Sequence, residues 1–323
     1  MKEMGGWPVL EGNDWNSKKD FKWIDIILKR RKIGFSINTI FIFDVDVNVQ
    51  NSSQWMIWLD QPILPVPQEY LLQGLNESDV QAFLQYAIDL AVLLGANKTT
   101  AKKEMTEVVG FMIDIFNAQE ERRFVHHIHN VMNLTQLYEL APLFNWTNVI
   151  NKILPDTIEV DDSELVNVGD VRYFGNLTNL LKRTPERVVA NYLMLRGVIQ
   201  AASFLSKDIR NLDLKFLRTL SGRVTHLPRW EQCIAMVSRS LSYAVSNLYV
   251  KHYLQNGSKE KVEILVRYLR NSFDDMLKGL EWMDDETKKQ ALKKERAINS
   301  YIGYPEELLH DENIIKLIMF QIM

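Results

Sequence analysis

The sequence predicts a mainly α-helical protein with one small β-hairpin near its N-terminus. Three observations carry that prediction. From about residue 70 to about residue 300, apolar residues recur three or four positions apart, the spacing of one helix face. Strand-like alternation is confined to about residues 33–60. Between the two regions Pro62, Pro65 and Pro67 interrupt regular structure.

The elements follow in order. After an aromatic opening with Trp7 and Trp15, a helix is expected from about Lys19 to Lys29. Phe35, Ile37, Ile40, Ile42, Val45, Val47 and Val49 alternate, with a slip near Asn38-Thr39. Asn51-Ser52-Ser53 reads as the turn and Trp55-Met56-Ile57-Trp58-Leu59 as the return strand. Ser78 and Gln81 have capping-box spacing ahead of Val80, Phe83, Leu84, Ala87, Ile88, Ala91 and Leu94, and Gly95 supplies a stop. A helix from about Thr100 to Arg122 points Met105, Val108, Val109, Met112, Ile113 and Phe116 inward. Short helices at about 134–141 and 145–153 precede an acidic, turn-rich stretch with room for one strand around Ile158-Val160. Thr184-Pro185-Glu186 reads as a helix start with Thr184 as N-cap and Pro185 at the first helical position. Long helices are expected at about 229–254, 259–281 and 285–300, the last ended by Gly303-Tyr304-Pro305. In the second of these, Val262, Leu265, Val266, Leu269, Phe273, Met276, Leu277 and Leu280 read as a core stripe.

Composition excludes several classes. The chain has 323 residues, 46% hydrophobic and 24% charged, which is neither fibrous nor disordered. A net charge of −3 argues against nucleic acid as a main partner. Cys233 is the single cysteine, so no intrachain disulfide is possible. No apolar run is long enough to span a bilayer, and the first residues have no signal-peptide character. Against that cytosolic appearance stand seven Asn-x-Ser/Thr sequons, at Asn51, Asn76, Asn97, Asn133, Asn145, Asn176 and Asn256. With 23 Asn and 28 Ser plus Thr, chance gives about two such triplets, a motif that is weak singly. The excess points to an extracellular glycoprotein whose export signal lies outside this sequence.

A search for chemistry returns little. There is no Gly-rich phosphate loop, no Gly-x-Ser-x-Gly and no Cys-x-x-Cys. No His-Glu-x-x-His occurs. His126, His127 and His129 are the only histidine cluster; structural and catalytic zinc usually need three or four ligands, so they are read as a solvated polar face, with a weak surface metal site at His126 and His129, i and i+3 on a helix, as the alternative. Acidic pairs at Asp161-Asp162, Asp274-Asp275 and Asp284-Asp285 sit where carboxylates cap helices and turns. Cys233, on the face of Ile234 and Val237, reads as a buried or unpaired thiol.

Arg229-Trp230-x-x-Cys233, Leu248-Tyr249-Val250, Trp282-Met283-Asp284-x-x-Thr287-Lys288 and Ile302-Gly303-Tyr304-Pro305 closely resemble, in order and gaps, the non-catalytic half of the neprilysin family of zinc metallopeptidases. Gly5-Gly6-Trp7-Pro8, Asn51-Ser52-Ser53, Leu59-Asp60-Gln61-Pro62, Leu93-Leu94-Gly95 and Glu121-Arg122-Arg123 look like that family's earlier landmarks, so the resemblance covers nearly the whole chain. One departure is Ile63-Leu64-Pro65-Val66-Pro67, where the family usually has Gly-Leu-Gly-Leu-Pro.

The resemblance implies a multi-helix cap domain over residues 1–323, with a hairpin at about 33–60 and a helical cap at about 70–323. Such a cap faces a thermolysin-like domain and limits access to peptides. It implies an extracellular or plasma-membrane ectodomain involved in proteolysis. The intact enzyme would use zinc-activated water with a Glu as general base. That family's zinc ligands have no counterpart here, so no catalytic or metal residue is transferred; the expectation is a truncated chain, inactive alone, with zinc in a missing catalytic domain. The expected partners are that catalytic domain and, in the intact enzyme, peptide substrates. The family pairs the cysteine matching Cys233 with one in the catalytic half, which would leave this thiol free. The alternative is a freestanding secreted pseudo-protease module acting as decoy, scaffold or inhibitor.

Overall fold

The computed structural model describes residues 2–15, 21–119, 129–254 and 257–322. They form two compact units, Met1–Thr225 and His226–Met323. The first contains α1 (Pro8–Glu11), α2 (Trp23–Lys32), β1 (Ile42–Val47), β2 (Trp55–Asp60), α3 (Gln68–Leu71), α4 (Ser78–Leu93), α5 (Lys98–Ala118), β3 (Val131–Asn133), α6 (Leu134–Leu140), α7 (Trp146–Ile153), β4 (Leu165–Val168), α8 (Val171–Arg183), α9 (Glu186–Ala201) and α10 (Lys207–Ser221). The second contains α11 (Arg229–Ser240), α12 (Ser242–Tyr253), α13 (Ser258–Gly279), α14 (Asp285–Arg296) and α15 (Asp311–Ile322). The mainly α expectation holds, with a sheet larger than the hairpin.

That sheet has the order β1-β2-β4-β3. The hairpin pairs antiparallel from Ile42 opposite Asp60 to Val47 opposite Trp55. Strand β4 lies parallel to β2 and antiparallel to β3. The strand expected around Ile158-Val160 is not formed. The Asn151 carboxamide binds both the N–H and the C=O of Val160, which removes that residue from any ladder. The strand falls instead at Leu165–Val168, three of whose four side chains are buried. Phe35, Ile37 and Ile40 also lie outside the ladder; Ile37 and Ile40 are core residues of the bend ahead of β1.

Helices α4, α5, α8 and α9 pack around a common core. Val80, Phe83, Ala87, Ile88 and Ala91 of α4 and Met105, Val108, Val109 and Met112 of α5 are buried, as their spacing predicts. Phe41, Phe144, Trp146 and Phe174 form an aromatic cluster with centroids 4.4–6.5 Å apart. The tilted and edge-on geometries are those that ring quadrupoles favour. The chain start is tied to the same core: Trp7 is buried, and the turn before it needs glycine. Gly6 sits at φ +80°, and a Cβ there would overlap the Glu11 carboxylate.

Several boundaries differ from expectation for local reasons. Helix α2 begins at Trp23; Lys19 lies outside the described residues, as does Glu121-Arg122-Arg123. The cap of α4 is Glu77, not Ser78. Its carboxylate accepts the N–H groups of Asp79 and Val80 at 2.6 and 3.1 Å, and a charged acceptor there is stronger than a hydroxyl. Gln81 reaches the Leu75 carbonyl instead of closing a capping box. Thr184 turns back to the Leu180 carbonyl, so Pro185 takes the N-cap position of α9 and its carbonyl accepts from Val188 and Val189. The helix expected over 229–254 breaks at Leu241, with φ −125° and ψ 47°. The helix expected to reach residue 300 ends at Arg296, and Gly303-Tyr304-Pro305 stands in the following loop. Helices α8, α10 and α15 were not anticipated. No single helix among the described residues is long and apolar enough to cross a membrane.

Candidate functional site

In the second unit the apolar faces of two helices are exposed. On α13, Val262, Leu265, Leu269, Phe273 and Met276 repeat at intervals of three and four, so they share one face. All five are exposed, Leu269 by 61% and Met276 by 59%. This corrects the expectation of a core stripe: of its eight residues only Leu277 is buried. Helix α11 repeats the pattern. Trp230, Ile234, Val237 and the following Leu241 lie on one face and are exposed, Trp230 by 64%.

The polar face of α13 makes the contacts within the unit. Arg270 donates to the Glu295 carboxylate at 2.9 Å, to the Glu295 carbonyl at 2.7 Å and to the Ile298 carbonyl at 2.8 Å. Asp274 pairs with Lys278 at 2.5 Å, which holds its carboxyl below the usual carboxylate range. Lys259 sits 4.7 Å from the Tyr304 ring centroid and donates to the Tyr304 carbonyl at 3.1 Å and to Glu306 at 2.5 Å. The hydrogen bond to Glu306, chiefly, raises the pKa of the Lys259 amine. These bonds fasten the Gly303-Tyr304-Pro305 loop to the start of α13. A cleft of about 460 Å³, lined by Arg267, Arg270, Asp274, Glu295 and Arg296, opens on this polar side.

The sequence motifs acquire structural roles here. Asp284 caps α14, accepting from the Thr287 N–H at 2.9 Å and hydroxyl at 2.6 Å, and the latter bond, chiefly, holds its carboxyl low. Asp161 likewise closes a turn with Ser163. Asp274 is an ion-pair partner, not a cap. Lys251 pairs with Asp311 at 2.6 Å, and Asn247 bonds the Leu308 carbonyl, which seats α15 against α12. Cys233 is unpaired and only partly buried, its neighbours Ile234 and Val237 facing outward; of the two readings, buried or unpaired, the second describes it.

Of the sequons, Asn51 lies in the exposed hairpin turn and Asn76 ends a short 3-10 turn. Asn97, Asn133 and Asn145 are the N-caps of α5, α6 and α7. Asn176 is inside α8. Asn256, His126 and His127 lie outside the described residues; His129 has a buried Nδ1 without a hydrogen-bond partner. Among the described residues no three His, Cys, Asp or Glu side chains gather as a metal site. The outward stripes were legible as stripes; what sequence reasoning missed is their direction. A signal was present, since the alternate face of α13 carries Lys259, Glu263, Arg270 and Asp274 at the same period.

Comparison with known proteins agrees with this architecture. The family profile of Peptidase family M13, N-terminal part, matches residues 1–305. Neprilysin-2 of Drosophila melanogaster is 34% identical over 97% of this chain and 42% of its own length. Membrane metallo-endopeptidase-like 1 of Mus musculus is 32% identical over 97% of this chain and 43% of its own. The chain thus spans about two fifths of the length of these relatives. Among solved structures, PepO from Lactobacillus rhamnosis superposes with a TM-score of 0.77 at 15% identity, over 93% of this chain and 49% of that one. The zinc metalloprotease Zmp1 of Mycobacterium tuberculosis in its open state gives 0.71 at 18% identity, over 92% and 47%. At these identities the structures establish the fold alone. The profile and the relatives together place the chain in peptidase family M13, the neprilysin family, as its N-terminal region.

Proposed function

We propose that this chain is the non-catalytic, substrate-restricting part of a neprilysin-like zinc metalloendopeptidase. Its second unit would dock the catalytic part through the outward faces of α11 and α13. The observation that carries the reading is the inverted amphipathicity of α13: polar residues pack within the unit while Val262, Leu265, Leu269, Phe273 and Met276 stay in water. An apolar surface of that extent marks an interaction site. The peptidase names of the relatives support a catalytic partner. The described residues do not fit zinc: they gather no ligand set, and the sequence has no His-Glu-x-x-His. Zinc is therefore assigned to the catalytic part. Cys233, partly exposed beside the α11 stripe, is the side chain that would form a disulfide with the partner. The excess of sequons and the membrane metallo-endopeptidase among the relatives support a glycosylated ectodomain outside the cell.

The test is co-expression with the catalytic part of a neprilysin-like relative. The expected result is a stable one-to-one complex with chelator-sensitive peptide hydrolysis, absent from the 323-residue chain alone. Leu269→Asp with Phe273→Asp should weaken the complex by roughly thirtyfold or more, as loss of one central anchor of about 2 kcal/mol implies. Failure to associate, or hydrolysis by the chain alone, would overturn the reading.

A further inference from the structure

The sequons are not equivalent in the folded chain, and their local hydrogen bonding separates them. At Asn51 the side-chain Oδ1 accepts the Ser53 N–H at 3.2 Å. At Asn97 it accepts the Thr99 N–H at 2.9 Å. Each is an Asx turn, in which the carboxamide oxygen bonds the backbone two residues on. With Oδ1 held there, Nδ2, the other branch of the carboxamide, points away from that backbone. Both asparagines are exposed, and so are Ser53 and Thr99, whose hydroxyls are uncommitted. The acceptor amide and the sequon hydroxyl are therefore both available at these two positions.

The other described sequons lack this pair of features. The Ser78 hydroxyl of the Asn76 sequon is bonded to Glu77 and Asp79. Asn133 and Asn145 are N-caps whose Oδ1 bonds the N–H three residues on, as Asn97 Oδ1 also does to Thr100 at 3.3 Å, but there the hydroxyls of Thr135 and Thr147 go to Asp162. Asn176 is exposed too, but its amide nitrogen is engaged and its sequon hydroxyl is enclosed. Its Nδ2 faces the Ala118 carbonyl at 3.5 Å, and Thr178 is buried. A sugar on that nitrogen would stand between α8 and the end of α5.

We propose that Asn51 and Asn97 are the N-glycosylated positions of this chain and that Asn176 is bare in the folded protein. The inference rests on the ectodomain reading above. The donor is a lipid-pyrophosphate oligosaccharide. Nδ2 forms a bond to the anomeric carbon and loses one proton to a base of the transferase, while the carbon–oxygen bond to pyrophosphate breaks and the lipid pyrophosphate leaves with the electron pair. Both Asx turns span three residues, so they can form in the nascent chain before any tertiary packing.

The experiment is to express the full chain in eukaryotic cells behind an added export signal. The secreted protein is then treated with peptide N-glycosidase in heavy-oxygen water, and each asparagine is read by mass spectrometry. Asn51 and Asn97 should carry the label and Asn176 should not. Ser53→Ala and Thr99→Ala remove the sequons yet leave the Asx turns and the α5 cap in place. Each should remove one glycan's mobility step, while Asn176→Gln should leave mobility unchanged. Unlabelled Asn51 and Asn97, or a labelled Asn176, in secreted protein overturns the assignment. The added signal separates this from the ectodomain reading. If the same gene's natural product is found only in the cytosol, that reading fails, and with it any natural occurrence of the modification.

Discussion

Arg187 shows how single side chains join distant parts of the first unit. Its guanidinium donates to the Glu104 carboxylate at 2.8 Å and to the carbonyls of Pro8 and Gly12 at 2.8 and 2.9 Å. Glu104 also accepts from Asn191 at 2.6 Å, and Asn191 in turn accepts the Val9 N–H at 3.0 Å. One network thus ties the N-terminal turn to α5 and α9. Arg187→Ala would leave the buried Glu104 without its charge partner and remove the side-chain donor from the Pro8 and Gly12 carbonyls. The expected loss is about 3 kcal/mol or more by urea denaturation. Replacing Arg187 and Glu104 together by Met and Leu should cost clearly less, because no charge is then stranded; equal losses would show that the network is not coupled. Little of this was legible beforehand. Trp7 and the two glycines before it are a visible landmark, but Glu104 and Arg187 are 83 residues apart and no local pattern links them. Arg30 is a second case. It sits inside α2, buried against α9, bonded to the Leu193 carbonyl and Gln200. Burial, aided by the nearby Arg196, lowers its pKa to about 10, still well above neutrality.

At the scale of elements, β1 shows how a sheet edge is closed. Its inner side pairs with β2, and its outer N–H groups are taken by side chains. Phe43 donates to the Asn38 Oδ1 at 3.2 Å, Val45 to Asp44 at 2.9 Å and Val47 to Asp46 at 2.7 Å. Two carboxylates and three occupied donors leave little for another strand to bind, and open edges are where strands add. Asp44→Ala with Asp46→Ala should therefore promote self-association. Sedimentation velocity should show dimers or larger species at concentrations where the wild type is monomeric; an unchanged profile would show that the edge is closed some other way. The hairpin's existence followed from alternation and its turn, whereas β3 and β4 did not. Three- and four-residue strands carry too few positions to show a period, and the pairing of β4 with β2 joins residues more than 100 positions apart. Helix α13 was legible as a helix for the converse reason, since its period runs over more than five turns. A period identifies a stripe but says nothing of what covers it, so its direction was not legible.

For the whole molecule, the division at Thr225 separates two kinds of folding. The first unit closes a core that takes residues from α1 through α10 and the sheet. In the second unit, the buried apolar side chains among the described residues are Leu277, Leu308 and Ile314. Burial of apolar surface is the main term that offsets chain ordering, and the second unit encloses far less of it than the first. The ion pairs of the unit are mostly exposed on at least one side and add little. Neither the boundary nor this imbalance showed in composition, because the apolar content of α11 and α13 is that of ordinary core helices. The consequence is a testable difference in local stability. Amides of α11 and α13 should exchange with solvent far faster than those of α5 and α9, whose buried faces open only with the first unit as a whole. On heating, the second unit should melt first, giving two transitions where one closed domain would give one. A catalytic part that binds the stripes should slow exchange in α11 and α13 selectively. At a free concentration one hundred times its Kd, the stabilisation is about 2.7 kcal/mol, or roughly hundredfold slower exchange. If α13 in the chain alone is protected as strongly as α5, the second unit is self-sufficient and its outward face needs no partner.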